Sequence, residues 1–238
     1  MNRLDHIREF YDLLDWLAIV SGGARSLGET VRSSPPARGV YFFFEAGEHR
    51  TDSGSGDRVV RVGTHALRPN SKTTLKGRLG QHLGSRSGGG HHRTSIFRLL
   101  IGDALLSSNA LPACASWGLK NQARDVARNF GMSDTDLKLQ ELPVEREVSR
   151  RLSAMSVLML PIDDEPGPHS RRGWIEWNAI AMLSNENKPP IDPPSANWLG
   201  LCSQRVHVRR SGLWNQNHVD EPYDAGLLIQ LKQLIQQA

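Results

Sequence analysis

Apolar residues recur every three or four positions near the start of the chain. They alternate with acids and bases and stand at Leu4, Ile7, Tyr11, Leu14 and Leu17. This spacing predicts an amphipathic helix over residues 3–20, because it brings the apolar side chains onto one helical face. We expect Gly22 and Gly23 to end this helix, since glycine accepts the left-handed conformation found at helix ends. The Ser-Ser-Pro-Pro run at 33–36 predicts a linker or a turn.

Two short apolar runs follow, and both have the character of strands. The run at 39–44 (GVYFFF) has no alternating polar position, which is typical of a strand covered on both faces. The run at 58–63 (RVVRVG) predicts a second strand. Residues 45–57, which are polar and rich in turn formers, are expected to form an elongated hairpin loop between them. A third strand is predicted over 156–162.

Apolar periodicity in the rest of the chain predicts helices that pack around these strands. They are expected at 72–83, 95–108, 123–129, 172–184 and 225–237. Residues 145–152 are compatible with either a helix or an extended turn. Because of its prolines, the segment 186–198 is expected to be irregular. The predicted fold is therefore α/β (α+β), a small three-stranded sheet flanked by helices.

Composition narrows the function classes only slightly. The 29 Lys and Arg residues against 25 Asp and Glu give a formal charge of +4, which permits a polyanionic partner without requiring one. Two distant cysteines, Cys114 and Cys202, argue against a disulfide scaffold and a cysteine zinc site, and favour a reducing compartment. We expect a cytoplasmic protein, because the chain begins without a signal peptide and has no apolar run of the ~20 residues that span a membrane.

Glu176 is the residue whose position is hardest to explain by packing alone. Its neighbours Ile175 and Trp177 are apolar, and so are the residues that share its predicted helical face. A buried carboxylate without a partner costs several kcal/mol, about 3–5 when its partner is removed. The partner is either an arginine or a metal ion, and the helix alone leaves both open.

Three other polar residues lie in or near the predicted strands and helices. Arg78 and His82 are four residues apart, so they leave the same helical face and suit either a bound phosphate or a solvated basic surface. Tyr41 lies within the first strand, where a tyrosine is either a core residue or part of a site. Glu145 and Glu147 are expected to be surface charges.

Taken in order along the chain, these residues resemble the motifs of the GIY-YIG nuclease family, in its restriction-enzyme-like members. The resemblance covers roughly residues 37–218. Gly39-Val40-Tyr41 is similar to the first half-motif and Arg61-Val62-Gly63 to the second. Arg78 and His82 resemble the helix arginine and the histidine that follows it, and Glu176 resembles the glutamate of the later helix. Asn215 resembles the family asparagine, with Asn187 as the alternative.

The chain departs from the family pattern at three places. Arg61 stands where the family usually has tyrosine; a cation there still suits a phosphate, and His65 just beyond it is expected to assist. The gap between the half-motifs is longer than usual. Residues 110–150 have no family counterpart and are expected to be an insertion for target recognition. The expected organisation is an N-terminal helix and linker (1–36), the nuclease-like domain (37–218) and a C-terminal docking helix (219–238).

The resemblance implies a metal-dependent endonuclease of restriction or defence type that hydrolyses phosphodiester bonds in DNA, and we expect that DNA to be double-stranded. It implies one divalent ion, Mg²⁺ or Mn²⁺, on Glu176 and a water that attacks the phosphorus. Tyr41 would accept the proton of that water, Arg78 would stabilise the transition state, and His82 would orient Tyr41 or share the proton. A homodimer is plausible, since one site per chain needs two chains to cut both strands.

Two alternative functions belong to other classes of protein. The first is a non-catalytic nucleic-acid-binding or interaction module on a degenerate nuclease fold, which the arginine at position 61 favours. The joint presence of the other motif residues argues against that module. The second is an unrelated small-molecule hydrolase, which ranks last because the sequence has no nucleophile elbow and no Ser-His-Asp arrangement.

Overall fold

A four-stranded antiparallel sheet lies at the centre of the protein. The structure is a computed structural model that describes residues 2–119 and 122–237. The sheet order is β1–β4–β2–β3, with the strands β1 Arg25–Ser26, β2 Gly39–His49, β3 Asp57–Gly63 and β4 Ser156–Pro161. Both β1 and β2 pair antiparallel with β4, and β2 pairs antiparallel with β3.

Helices cover both faces of this sheet. Within the described residues they are α1 Arg3–Ser21, α2 Leu27–Arg32, α3 Leu75–Leu83, α4 Ile96–Ser107, α5 Ala123–Asn129, α6 Asp134–Ala154, α7 Arg171–Leu183, α8 Val206–Ser211 and α9 Gly226–Ile235. Two 3₁₀ turns, His92–Thr94 and Leu199–Cys202, lie between them. None of the helices in the described residues is long and apolar enough to cross a membrane.

Strand β2 divides the apolar core into two halves. Val40 and Phe42 point to the face covered by α1, α7 and α9, whereas Tyr41 and Phe43 point to the face covered by α2, α3, α4 and α6. All four side chains are fully buried. The prediction of a strand covered on both faces is confirmed, and so is the α/β (α+β) class.

The first helix forms for the local reasons that its sequence indicates. Asn2 caps it in a capping box with Asp5, which satisfies amide groups that the first helical turn leaves free. Gly22 ends it with φ 79°, in the left-handed region. Helix α1 then packs against α9, on the same face of the sheet. The division of the chain at residues 36 and 218 stays a prediction.

The hairpin loop predicted for residues 45–57 is wrong at its two ends and right for residues 50–56. Strand β2 continues to His49 and β3 begins at Asp57, so that only 50–56 form the turn. Glu48 is buried because it pairs with Arg58 at 2.5 Å. Asp192, from the distant irregular segment 186–198, accepts hydrogen bonds from the backbone amides of residues 51–53. These partners stabilise a polar extension that local sequence could not reveal.

The sheet has a fourth strand where the sequence predicted three. The two-residue strand β1 pairs with the start of β4, and α2 follows it directly. Elements of two to six residues, including α8, are too short to produce a hydrophobic period. Ser26 and Glu29 do form a capping box at the start of α2, which is a local signal for that helix.

Candidate active site

The two glycines of the half-motifs lie where the backbone meets other groups closely. Gly63 is the cross-strand partner of Tyr41, and the Tyr41 ring lies directly over it. A Cβ atom at Gly63 would come closer to this ring than Cβ atoms approach other groups in proteins. Gly39 meets the carbonyl of Leu160 in the same way. Both positions therefore require glycine for packing, and the Tyr41 phenol is held at the end of β3.

The regular cross-strand pairing of Phe43 with Arg61 places Arg61 on the same face as Tyr41, and a β-bulge follows directly. Phe43 pairs with Arg61 and Phe44 pairs with Val59, so Val60 is the extra residue on β3. The carbonyl of Val60 accepts a hydrogen bond from the backbone amide of Trp214 at 2.7 Å. The second half-motif thus places a cation, where the family usually has tyrosine, beside the tyrosine of the first.

Tyr41 is connected to a buried histidine and a buried serine. Its hydroxyl lies 3.0 Å from Nε2 of His82, whose Nδ1 lies 2.8 Å from Oγ of Ser95. His82 is fully buried. Burial, with Arg78, Arg61 and Arg98 nearby, holds the pKa of His82 well below its usual range. The imidazole is therefore neutral, which rules out a solvated basic face at this residue.

Arg61 forms part of the wall between Tyr41 and the solvent. It is only 5% exposed, donates to the carbonyl of Trp214, and its guanidinium carbon lies 4.7 Å from the centre of the Phe97 ring. Burial lowers the pKa of Arg61, while the neighbouring Tyr41 and Glu176 favour its charged form. Tyr41 itself has no exposed surface, so a ligand in the cleft would meet Arg61 before it met Tyr41.

Arg61 lines a cleft of about 420 Å³ together with Arg78 and Glu176. Arg78 is half-buried and donates through Nη1 to Gln81 at 3.1 Å and to the carbonyl of Thr94 at 3.2 Å. Among the described residues, neither arginine forms an ion pair with a carboxylate. Two cations without an acidic partner favour the binding of an anion in this cleft.

Glu176 is half-buried on α7 at the floor of the same cleft. Its Oε1 accepts a hydrogen bond from the backbone amide of Thr64 at 3.1 Å. Burial raises the pKa of Glu176, and Arg61 is the strongest of the groups that oppose this rise. Within the part of the chain that the structure describes, no salt bridge joins Glu176 to an arginine. The carboxylate is therefore available to a cation from outside the chain.

A magnesium ion fits this chemistry. In the described residues there is no cluster of three or more His, Cys, Asp or Glu side chains that could hold a metal. Mg²⁺, however, is commonly bound by one or two carboxylates, with waters and substrate phosphate oxygens completing its shell. Glu176 offers one such carboxylate, whose Oε2 makes no hydrogen bond within the described chain. A cation there would also offset the cost of burying its charge.

Asn215 lies at the cleft, but its amide is already used. Its Oδ1 accepts from the backbone amide of Val62 at 3.2 Å, and its Nδ2 donates to the carbonyl of Val62 at 2.9 Å. The side chain thus covers the outer edge of β3. Asn187, the alternative from the sequence, lies in an exposed turn with φ 56° and does not line the cleft.

His65 faces a second hollow of about 650 Å³ that adjoins the cleft. The cleft and this hollow share Thr64, Leu67 and Arg78 in their walls. His65 is 6% exposed, and burial, aided by Arg172, lowers its pKa to about 4. Neither of its ring nitrogens has a hydrogen-bond partner among the described residues. It is therefore a neutral, buried residue beside the cleft.

Thr64 and His218 are among the residues of the cleft that sequence reasoning missed. Thr64 follows the second half-motif directly, and its Oγ1 donates to the carbonyl of Gly39, which ties the two half-motifs together at 2.8 Å. His218 lines the cleft with Glu176, has φ 64°, and places Nδ1 2.9 Å from Glu221. Its position next to the half-motif was a signal in the sequence for Thr64, whereas no sequence signal pointed to His218.

A family model described as the GIY-YIG domain matches residues 1–238, the whole chain. The chain belongs to the GIY-YIG family. The resemblance carried by residues 39–41, 61–63, 78, 82 and 176 is thereby confirmed at the level of the family. No curated protein and no solved structure matches the chain. GIY-YIG proteins are a family of nucleases, which implies a nucleic acid as substrate.

Proposed function

We propose that this GIY-YIG protein is a divalent-metal-dependent endonuclease that hydrolyses phosphodiester bonds in double-stranded DNA. The observation that carries the proposal is the convergence of Arg61, Arg78 and Glu176 on one cleft, with Tyr41 and His82 directly behind it. Two cations suit a phosphate diester, and one carboxylate suits a magnesium ion.

Glu176 is the proposed metal ligand. Mg²⁺ or Mn²⁺ held there would supply Lewis-acid polarisation of the scissile phosphate. The Thr64 amide fixes one oxygen of the carboxylate and leaves Oε2 for this purpose. Arg78, which reaches the cleft from α3, is placed to stabilise the negative charge that develops on the phosphate oxygens in the transition state.

Tyr41 is the proposed acceptor of the proton from the attacking water. Because Arg61 covers the phenol, we propose that the Arg61 guanidinium moves toward the phosphate when DNA enters the cleft. Its present contacts are the Trp214 carbonyl and the face of the Phe97 ring, and a phosphate diester is a stronger partner for a guanidinium than either. His82, hydrogen-bonded to the phenol, orients Tyr41. Asn215 supports the cleft from its wall, and His65 supports it from the adjoining hollow.

A non-catalytic nucleic-acid-binding module is the second candidate. The observation that favours it is the complete burial of Tyr41 behind an arginine that stands in the position of a tyrosine. This candidate predicts DNA binding without cleavage, whatever metal ion is added.

Two further parts of the proposal rest on the family resemblance. The spacing of Arg78 and His82 is that of restriction-enzyme-like members, so we propose a restriction or defence role in the cytoplasm. A homodimer is proposed because a single active site per chain cuts one strand at a time.

Plasmid cleavage with magnesium tests the proposal. Wild type, Glu176→Ala and Tyr41→Phe are compared, with Tyr223→Phe as the control, because Tyr223 bonds His6 away from the cleft. We expect wild type and Tyr223→Phe to cleave and the other two to lose cleavage. Equal cleavage by Glu176→Ala and Tyr41→Phe would refute the site. Salt-sensitive DNA binding without cleavage by any form would favour the binding module.

A further inference from the structure

Ser95 lies behind His82, on the side away from the cleft. It is fully buried, and its Oγ is 2.8 Å from Nδ1 of His82. The same oxygen accepts a hydrogen bond from the backbone amide of Arg98 at 3.3 Å, as the cap of α4. The catalytic scheme above assigns no role to this hydroxyl.

His82 carries a single ring hydrogen. The charged and titratable groups that face it are Tyr41 from β2, Arg61 from β3, Arg78 on its own helix and Arg98 from α4. All three charged groups are cations, and Glu145 of α6, the nearest carboxylate to Arg98, is already paired with that arginine at 2.5 Å. A neutral imidazole has one N–H donor and one acceptor, so the chain Ser95–His82–Tyr41 runs in one of two directions.

The two directions differ in which hydroxyl hydrogen, that of Ser95 or that of Tyr41, has no acceptor. If Nδ1 carried the hydrogen, Ser95 Oγ would accept from both His82 and Arg98. Its own hydrogen would then lie in the core without an acceptor among the described residues. If Ser95 donates to Nδ1, its hydroxyl is satisfied and Nε2–H points to the Tyr41 oxygen. The hydrogen left without an acceptor is then that of Tyr41, whose side chain is also fully buried in this structure.

That second direction is the one that a tyrosine base requires. A phenol that accepts the proton of a water must first lose its own, which passes to a solvent water in the cleft once the Arg61 guanidinium has moved, and an N–H aimed at its oxygen stabilises the resulting anion. A histidine with an acceptor at Nε2 would instead hold the proton on the phenol.

The backbone around Ser95 is held firmly enough to fix this geometry. Arg98 is fully buried and donates through Nη1 to the His82 carbonyl at 2.8 Å. Glu145 anchors the same guanidinium through Nε at 2.9 Å, and Ser149 does so through Nη2 at 2.9 Å. The end of α3 and the start of α4 are therefore fixed against α6, and the distance from Ser95 to His82 is fixed with them.

We infer that Ser95 is a positioning residue that holds His82 in the Nε2–H tautomer, so that His82 donates a hydrogen bond to the Tyr41 oxygen. The choice between the two directions rests on the proposed function, because only a tyrosine base distinguishes them, whereas the contact between Ser95 and His82 does not.

Nitrogen NMR of the full-length protein, labelled with ¹⁵N-histidine, tests the tautomer directly. We expect the His82 signals of an unprotonated Nδ1 and a protonated Nε2. Ser95→Thr, which keeps the hydroxyl, should preserve this pattern, and Ser95→Ala should shift it toward Nδ1–H or a mixture. A wild type with Nδ1–H, or a Ser95→Ala variant with the wild-type pattern, would overturn the inference. The wild-type spectrum decides even where Ser95→Ala does not fold.

Cleavage kinetics then separate this inference from the proposed function. We expect Ser95→Ala to lower kcat by about tenfold or more with KM for DNA unchanged, and Ser95→Thr to restore it. Ser133→Ala, which removes the exposed cap of α6, is the control and should keep kcat. If no form cleaves DNA but the tautomer is Nε2–H, the proposed function fails and the role of Ser95 stands. Full kcat in Ser95→Ala would count against that role.

Discussion

At Gly63 the backbone of β3 passes directly under the Tyr41 ring, and no side chain fits between them. Gly63 therefore sets the distance from the Tyr41 phenol to Thr64. Because the Thr64 amide donates to Glu176, Gly63 also sets the distance from the phenol to Glu176. The half-motif glycine could be found in the sequence. Its physical reason, the contact with an aromatic ring on the next strand, required the register of the sheet.

We predict that Gly63→Ala lowers the free energy of unfolding by about 1–3 kcal/mol, because the added methyl group forces the buried Tyr41 ring to move. Cleavage should fall as well. Gly80→Ala is the matched control: a Cβ atom there meets nothing within 4 Å, and alanine favours a helix over glycine by about 1 kcal/mol. Chemical denaturation measures both, and an equal effect of the two substitutions would contradict the packing described.

His65 gives a prediction about pH. The folded pKa of about 4 lies below the ordinary value of 6.5, owing to burial and Arg172, so the unfolded chain binds a proton in this window and the folded protein does not. Stability is thus fully present above pH 6.5 and is lost as pH falls toward 4. We expect His65→Gln to remove about 1–2 kcal/mol of the stability difference between pH 7 and pH 5. Identical pH profiles for the two proteins would show that His65 titrates normally.

Helix α6 contains two glutamates whose different surroundings become clear only from the whole helix and its partners. The sequence left residues 145–152 open and predicted Glu145 and Glu147 as surface charges. They belong to one helix of 21 residues that runs through Pro143. Glu145 is buried against Arg98, so its predicted exposure was wrong, while Glu147 pairs with Arg150, which is largely exposed. Nothing local distinguishes the two glutamates, because the difference lies in a partner 47 residues away.

These two glutamates form a matched pair for mutation. We predict that Glu145→Ala lowers the unfolding free energy by about 3–5 kcal/mol, since it leaves the fully buried Arg98 without its carboxylate. Glu147→Ala on the same helix should cost under about 1 kcal/mol, as removal of a surface ion pair does. Thermal and denaturant unfolding would give both values. A small loss for Glu145→Ala would mean that Arg98 finds another partner or that the pair is solvated.

The sequence predicted the helices that carry the site more accurately than it predicted the contacts within the site. Periodicity located α3, α4 and α7, and an ordered set of motif residues pointed to the family. The cover of Tyr41 by Arg61 depends on the pairing of Phe43 with Arg61 and on the carbonyl of Trp214, which follows 153 residues after Arg61. Strand register and a long-range contact leave no period in the sequence, so the arrangement could be found only from the fold.

On the scale of the molecule, the cleft and its neighbouring hollow lie side by side, share Thr64, Leu67 and Arg78 in their walls, and are together called the depression. The hollow adds the exposed cations Arg68 and Lys72 to the arginines of the cleft. The chain as a whole has a net charge of +4, and these four cations are the positive side chains that a polyanion would meet here. A DNA backbone that follows the depression would meet these side chains in turn.

This arrangement predicts how DNA binding responds to salt. Lys72→Ala and Arg68→Ala should each weaken binding and lower the slope of log K against log salt by about 0.9 if each contacts one phosphate of a duplex. Lys232→Ala on α9, which removes an exposed cation outside the depression, is the control and should leave the slope unchanged. Fluorescence anisotropy over a range of salt concentrations measures this. Equal slopes for all four proteins would place the DNA elsewhere.

The most direct test of the central claim is to measure DNA affinity and DNA cleavage side by side for wild type and Glu176→Gln, in magnesium. Glutamine keeps the size of the side chain and removes the negative charge that is proposed to hold the ion. We predict an affinity within a few-fold of wild type and a cleavage rate lower by about 100-fold or more. Cleavage by Glu176→Gln at the wild-type rate would contradict the assignment of this cleft as the active site.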